Sequence, residues 1–465
     1  MPETAAQGAG IVRRIFGNLA LLLGGRAAAG VLSLIYMVIA ARALGPTDYG
    51  VLVLVHGYVV VIGAIIGFPG WHAVVRYGAR ALADHDEAGL IRLLRFTAAV
   101  ELAAGAAAII AAAALVPIIG PSLGWPLGVQ ALAIPYSLAV LGAVRTTPAG
   151  LLQLVRRFDL LAYHSAVAPA VRLVGAIMVA AAGWGLTGFL VAWLIAALAE
   201  WATLWAIAAV VARRRLRHSP LVGRPTNVAS DTPGLWRFML AANADVTFAD
   251  LSARLAPLAI GWTLGPGPAG LFAIAQRATV VLAQPAQILG QAAYSELAKL
   301  VAQGDRSGAL RRALLRCIAI ALGSAVPILI ILAFFSRDIA VLLGGGAFGD
   351  AAAVMIWLAA ARTILLVAPP CSAGLIAMGR PALSVLANAG LGLALLPLLL
   401  PLTMRFGLVG AGMQALLQAA ATSALLAGLV WRTSALPAGV APLPAKRLEE
   451  LEVASIEAAE AIDLS

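Results

Sequence analysis

The sequence predicts an all-α polytopic membrane protein: about twelve transmembrane helices in two six-helix bundles, related by a pseudo-two-fold axis along the membrane normal. Three observations predict it. Apolar runs recur at the length a bilayer demands, cations cluster on one side of those runs, and a short motif returns at a nearly fixed offset. Apolar residues make up 62% of the 465 and charged residues only 11%, against roughly 25% charged in an ordinary soluble domain. With a mean hydropathy of +0.96, the chain carries too little charge to cover a water-facing surface. The net charge of +11 does not point to nucleic acid, because the basic residues are dispersed between apolar runs rather than gathered on one face.

A helix needs ~20 apolar residues to cross the hydrocarbon core. Such runs fall at about 17–40, 50–70, 93–117, 129–152, 160–182 and 186–211, and again at about 239–262, 270–292, 313–335, 352–376, 383–404 and 408–431. The first follows Arg13 and Arg14 as a signal peptide would, but it is too long, contains Arg26 and precedes many more spans, so it reads as a retained helix. With both termini cytoplasmic, 23 of the 32 Lys and Arg residues fall in inner segments, three (Arg42, Arg337 and Arg405) in outer loops and six within spans. That asymmetry is the positive-inside pattern. The expected organisation is a cytoplasmic N-terminus over 1–16, one bundle over 17–211, a basic linker over 212–238, a second bundle over 239–431 and a Pro-bearing, acidic cytoplasmic tail over 432–465. Cys317 and Cys371 lie in apolar runs and read as small buried residues, neither a disulfide nor a metal site.

The halves look duplicated. Leu44-Gly45-Pro46-Thr47-Asp48-Tyr49-Gly50 follows the first span, and Leu264-Gly265-Pro266-Gly267-Pro268-Ala269-Gly270 follows the seventh, 220 residues on. Asp86, Gly89 and Arg92 likewise fall on Asp305, Gly308 and Arg311, 219 residues on. Paired bundles with a binding site at their interface are the usual transporter construction.

The residues Ala41 through Gly50 resemble the signature after the first helix of polysaccharide flippases in the multidrug/oligosaccharidyl-lipid/polysaccharide exporter superfamily. Gln153-Leu154-Val155-Arg156-Arg157-Phe158 is similar to that family too. The resemblance covers roughly residues 10–435. It implies a two-bundle carrier that flips a polyprenyl-pyrophosphate-linked sugar across the bacterial cytoplasmic membrane, with membrane lipids around it and polysaccharide polymerase machinery as a partner.

Charges at membrane depth carry the chemistry. Six arginines (Arg26, Arg145, Arg172, Arg254, Arg277 and Arg362) lie within spans, against Asp245 and Asp250, with Glu101 and Glu200 shallower. A charge at the bilayer centre costs from ~3 kcal/mol upward, so each needs a cavity or a partner. The planar guanidinium suits phosphate oxygens, since it donates two parallel hydrogen bonds. The expected substrate path is therefore Arg172, Arg254 and Arg362, with Arg26 and Arg145 toward the cytoplasmic opening. Snorkelling to headgroups competes for Arg26 and Arg145, and mutual neutralisation at i,i+4 competes for Asp250 and Arg254. Asp245 and Asp250 are the candidates for a coupling ion, while the membrane potential alone is the other available drive. No catalytic group, cofactor or metal is expected. Neither a Gly-x-x-x-x-Gly-Lys-Ser/Thr loop nor an HExxH motif occurs. Two rival functions are a cation-coupled multidrug exporter, which would prefer an acid-lined cavity, and a membrane polysaccharide polymerase or ligase, which would need a substantial outer loop.

Overall fold

The computed structural model describes residues 2–68, 70–215, 234–283, 297 and 308–435. The expected linker and acidic tail lie largely outside the described residues. Regular structure among the described residues is helical throughout. Nine helices there are long and apolar enough to cross a membrane. One of them, Ala27–Ile66, holds two of the expected spans. Its parent helix α1, Pro2–Ile66, runs unbroken except at Gly45, whose φ of 71° and ψ of 176° are non-helical. Only glycine takes that conformation without strain, and Pro46 then restarts the helix at the position that needs no amide donor.

In the first half, α2 (Trp71–Ala83) and α3 (Glu87–Ser122) follow α1. The Asp86 side chain caps α3 by accepting the Gly89 amide at 2.7 Å. The fourth span is assembled from α4 (Leu127–Tyr136), a 3-10 segment (Ser137–Ala143) and α5 (Thr146–Leu154). Next come α6 (Phe158–Ser165), α7 (Val167–Ala182) and α8 (Gly185–Arg215). Gly183, in the left-handed conformation, ends α7 and turns the chain into α8.

The second half has α9 (Leu235–Leu264), α10 (Pro266–Thr279), α11 (Ala309–Gly344), α12 (Ala351–Leu365) and α13 (Ala368–Ala377). The short helices α14 (Pro381–Val385), α15 (Leu391–Ala394) and α16 (Leu399–Phe406) form one interrupted span, and α17 (Leu408–Ala435) closes the described chain. A π-helical turn at Leu386–Gly390 interrupts that span, a distortion in which i→i+5 hydrogen bonds replace the regular i→i+4 ones. Helix α9 overlaps the expected seventh span but is not among the nine, because Arg237, Asp245, Asp250 and Arg254 punctuate it.

The chain divides into two compact units. The first is Met1–Leu44 with Leu54–Thr247; the second is Gly45–Val53 with Phe248–Ser465. In the first, α7 packs along α8 and α2 along α5. Small residues permit the α7–α8 approach: a Cβ on Gly175 would come within 2.7 Å of the Ala192 methyl. In the second, α12 packs against α17, α11 and α10. One apolar core there gathers Leu310, Leu314, Cys371, Leu375 and Leu426. Cys371 is thus a buried, free thiol, and Cys317 is free as well.

Candidate functional site

The first unit holds a guanidinium caged by aromatic rings. Arg172 leaves α7 and donates through Nη1 to the Tyr36 hydroxyl at 3.2 Å. Its Nη2 lies 3.4 Å from His56 Nε2, and both acceptors stand on α1. An arginine nitrogen only donates, so His56 Nε2 accepts and its proton sits on Nδ1. That Nδ1 lies 2.9 Å from the Tyr136 hydroxyl, which therefore accepts from it. Histidine is thereby fixed as one neutral tautomer between a cation and a phenol. The Arg172 guanidinium carbon also stands 5.0 Å from the Trp193 ring centroid and 5.8 Å from that of Tyr36, close enough for cation–π attraction. Edge contacts join the rings to one another, His56 to Trp193 at 5.2 Å and Tyr36 to Trp193 at 5.9 Å.

The cage carries a full positive charge with no carboxylate within salt-bridge distance of Arg172 among the described residues. Arg172 Nε and Trp193 Nε1 are buried without a hydrogen-bond acceptor among the described residues. Buried donors normally find partners, and a charge at this depth is retained where it meets a polar ligand or cavity. The chemistry available is therefore recognition of an anion by a fixed cation.

The fourth span is broken at Val144 and Arg145, where the backbone leaves helical angles before α5 begins. Four residues from three parts of the chain stitch this break. The Glu101 carboxylate on α3 accepts from the Thr146 and Thr147 amides at 2.5 and 2.8 Å. Trp205 on α8 donates to the Val144 carbonyl at 2.8 Å, and the Gly70 amide donates to the Thr146 hydroxyl at 2.8 Å. Arg145 itself pairs with Glu200 on α8, whose backbone carbonyl contacts His164 Nε2 at 2.9 Å. A carboxylate at a helix start meets both orphan amides and the positive end of the dipole.

The expected substrate residues therefore separate. Arg172 stands in the cage. Arg145 is held by Glu200, so its charge is compensated within the protein. Both engage α8, where Trp193 and Glu200 are seven residues apart, about two helical turns. In the second unit Arg362 is half-buried on α12 and makes no hydrogen bond or ion pair among the described residues. Arg254 is exposed on α9 and does have an interaction partner. Arg26, Asp245 and Asp250 lie on α1 and α9, but their side chains fall outside the description. No cluster of three or more metal-ligating side chains occurs among the described residues.

The sequence singled out Arg172 but not its company. Tyr36, Tyr136 and Trp193 look like ordinary aromatic filling in apolar runs, and Tyr36 lies 136 residues from Arg172. The one usable signal was His56, a polar ring inside a span. A cavity of about 690 Å³ also opens between α7 and α8, lined by Val174, Met178, Trp184, Thr187, Val191 and Ile195 among others. None of its lining residues is charged, so it has no grip on an anion.

Helices of this length and apolarity define a multi-pass membrane protein. Comparison with known proteins places it: a family model described as polysaccharide biosynthesis protein matches residues 39–353, and the chain belongs to that family. It is 30% identical to the inner membrane protein YghQ of Escherichia coli strain K12 over 291 residues, which is 63% of this chain and 82% of that protein. Two solved structures share its fold. One is the lipid II flippase MurJ in an inward closed conformation, at TM-score 0.64 and 11% identity, covering 96% of this chain and 98% of that one. The other is an inward-facing multidrug resistance transporter of the MATE family in the MOP superfamily, at 0.62 and 17%, covering 89% and 94%.

Proposed function

We propose that this protein is an alternating-access flippase. It moves a polyprenyl-pyrophosphate-linked oligosaccharide from the inner to the outer leaflet of the cytoplasmic membrane, for surface polysaccharide synthesis. The observation that carries the reading is Arg172, a guanidinium fixed by two hydrogen bonds and two aromatic faces within a membrane span, with an unfilled donor. Membership of a polysaccharide biosynthesis family supports the sugar cargo. The inner-membrane relative supports the location.

In this reading Arg172 grips the diphosphate, and Arg362, Arg254 and Arg26 are the further candidate substrate-binding residues. Arg145 contributes when the headgroup competes with Glu200. The prenyl tail stays in lipid. Carrying a negative headgroup outward through an inside-negative membrane is downhill by ~2.3 kcal/mol per charge per 100 mV, so the potential is the default drive. Asp245 and Asp250 are the sites for a coupling ion if one is used.

A multidrug exporter is the reading the MATE fold would otherwise favour. Cationic drugs require an acidic cradle, whereas the caged residue here is a cation. The test is export of surface polysaccharide by single Arg172→Ala, Arg254→Ala and Arg362→Ala variants present in the membrane at normal amounts. Loss in the first and third supports the assignment; normal export from all of them overturns it.

A further inference from the structure

Exposed cations at helix ends are answered in one unit and unanswered in the other. In the first unit Arg80 lies 3.7 Å from Asp84, Arg92 3.8 Å from Asp86 and Arg157 2.8 Å from Asp159. In the second unit the start of α11 meets the end of α17. Arg311 donates to the Ser434 hydroxyl and the Trp431 carbonyl, both at 2.9 Å, and its guanidinium carbon lies 4.0 Å from the Trp431 ring centroid. Thr433 on α17 also meets the residue just past α13, its hydroxyl 3.7 Å from the Met378 sulfur. Arg311 is thus occupied in joining α11 to α17. Around it Arg312, Arg316, Arg380 and Arg432 are all exposed. None of these four pairs with a carboxylate among the described residues.

A face of one sign attracts the opposite sign, so the chain was searched for the anion. Residues 284–307, just before α11, are neutral: Glu296 and Asp305 are balanced by Lys299 and Arg306. Residues 216–233 are net positive, with Arg217 and Arg224 against Asp231. Residues 436–465 differ. They carry Glu449, Glu450, Glu452, Glu457, Glu460 and Asp463 against Lys446 and Arg447, a net charge of 2 − 6 = −4. This acidic run is joined to the basic face itself, because it follows α17, which ends at Ala435. The chain from Ala435 to Glu449 can span up to ~46 Å, while Arg316 stands only ~7 Å along α11 from Arg311. Reach is therefore no obstacle. Attachment also makes the encounter intramolecular, so several weak contacts between exposed charges suffice when they act together.

We propose that the acidic run 449–463 docks on the basic face formed by Arg312, Arg316, Arg380 and Arg432, a face that anionic headgroups would otherwise take. The proposal is independent of the cargo. Its test uses the full chain carrying Cys317→Ser and Cys371→Ser, with a nitroxide on Ser455→Cys, in phosphatidylcholine nanodiscs. The spectrum is expected to contain an immobilised component at low salt and to lose it at roughly 1 M salt, where the Debye length is about 3 Å. Arg312→Gln, Arg316→Gln, Arg380→Gln and Arg432→Gln together are expected to remove that component. Glu449→Gln, Glu450→Gln, Glu452→Gln and Glu457→Gln together are expected to remove it as well, and they leave the helices untouched. Persistence of the component in either variant overturns the docking, as does its absence before any substitution. Its loss in phosphatidylglycerol nanodiscs at the same low salt would mean that headgroup phosphates hold the face, and overturns the assignment too.

Discussion

In the proposed function recognition turns on Arg172, and its geometry separates charge from shape. Lysine keeps the charge but loses the planar fork that reaches Tyr36 and His56 together. Arg172→Lys is expected to retain a minor part of export and Arg172→Ala none, as surface polysaccharide per unit of membrane-inserted protein. Equal export by both would make the fork irrelevant. Glu101 makes a different prediction. Glu101→Ala leaves the Thr146 and Thr147 amides without their acceptor, at about 1–3 kcal/mol each, whereas Glu101→Gln keeps one acceptor oxygen and loses less. Thermal unfolding in detergent, with the order wild type, Gln, Ala, checks it. Residue by residue, the sequence disclosed the charges and hid their partners. Arg172 stood out because arginine is conspicuous in an apolar run; Glu200 and Arg145 are 55 positions apart and no helical spacing links them.

At the scale of elements, close approach is governed by small residues. The α7–α8 seam depends on Gly175 lying beneath Ala192. Gly175→Leu should overpack the seam by about 1–3 kcal/mol. Gly323, inside α11 with nothing within 4 Å of a prospective Cβ, is the control. Gly323→Ala should stabilise by roughly 0.5–1 kcal/mol through the unfolded chain's lost freedom. Both are read as melting shifts of the purified protein, of opposite sign. Span positions were readable because hydrocarbon enforces a length, and each of the twelve apolar runs overlaps a helix. What periodicity did not reveal was continuity. The first two runs share one helix across Gly45, while the fourth is broken at Val144 and Arg145 and restarts where Glu101 of another helix accepts the first amides of α5. Hydropathy averages over about one span and is blind to a two-residue break stitched by residues from elsewhere.

For the whole molecule, fold and family agree on a two-unit membrane protein of polysaccharide biosynthesis, and in the proposed function the caged cation accounts for an anionic cargo. The two similar segments that follow the first and seventh expected spans approach each other closely at Gly50 and Gly270. The measurement that tests the flippase account most directly is the leaflet distribution of lipid-linked oligosaccharide in a deletion strain, probed by a membrane-impermeant sugar-modifying reagent on intact spheroplasts. The account predicts that the lipid-linked unit accumulates out of the reagent's reach, and that the wild-type gene restores access while Arg172→Ala does not. Full access to the reagent in the deletion strain would contradict it.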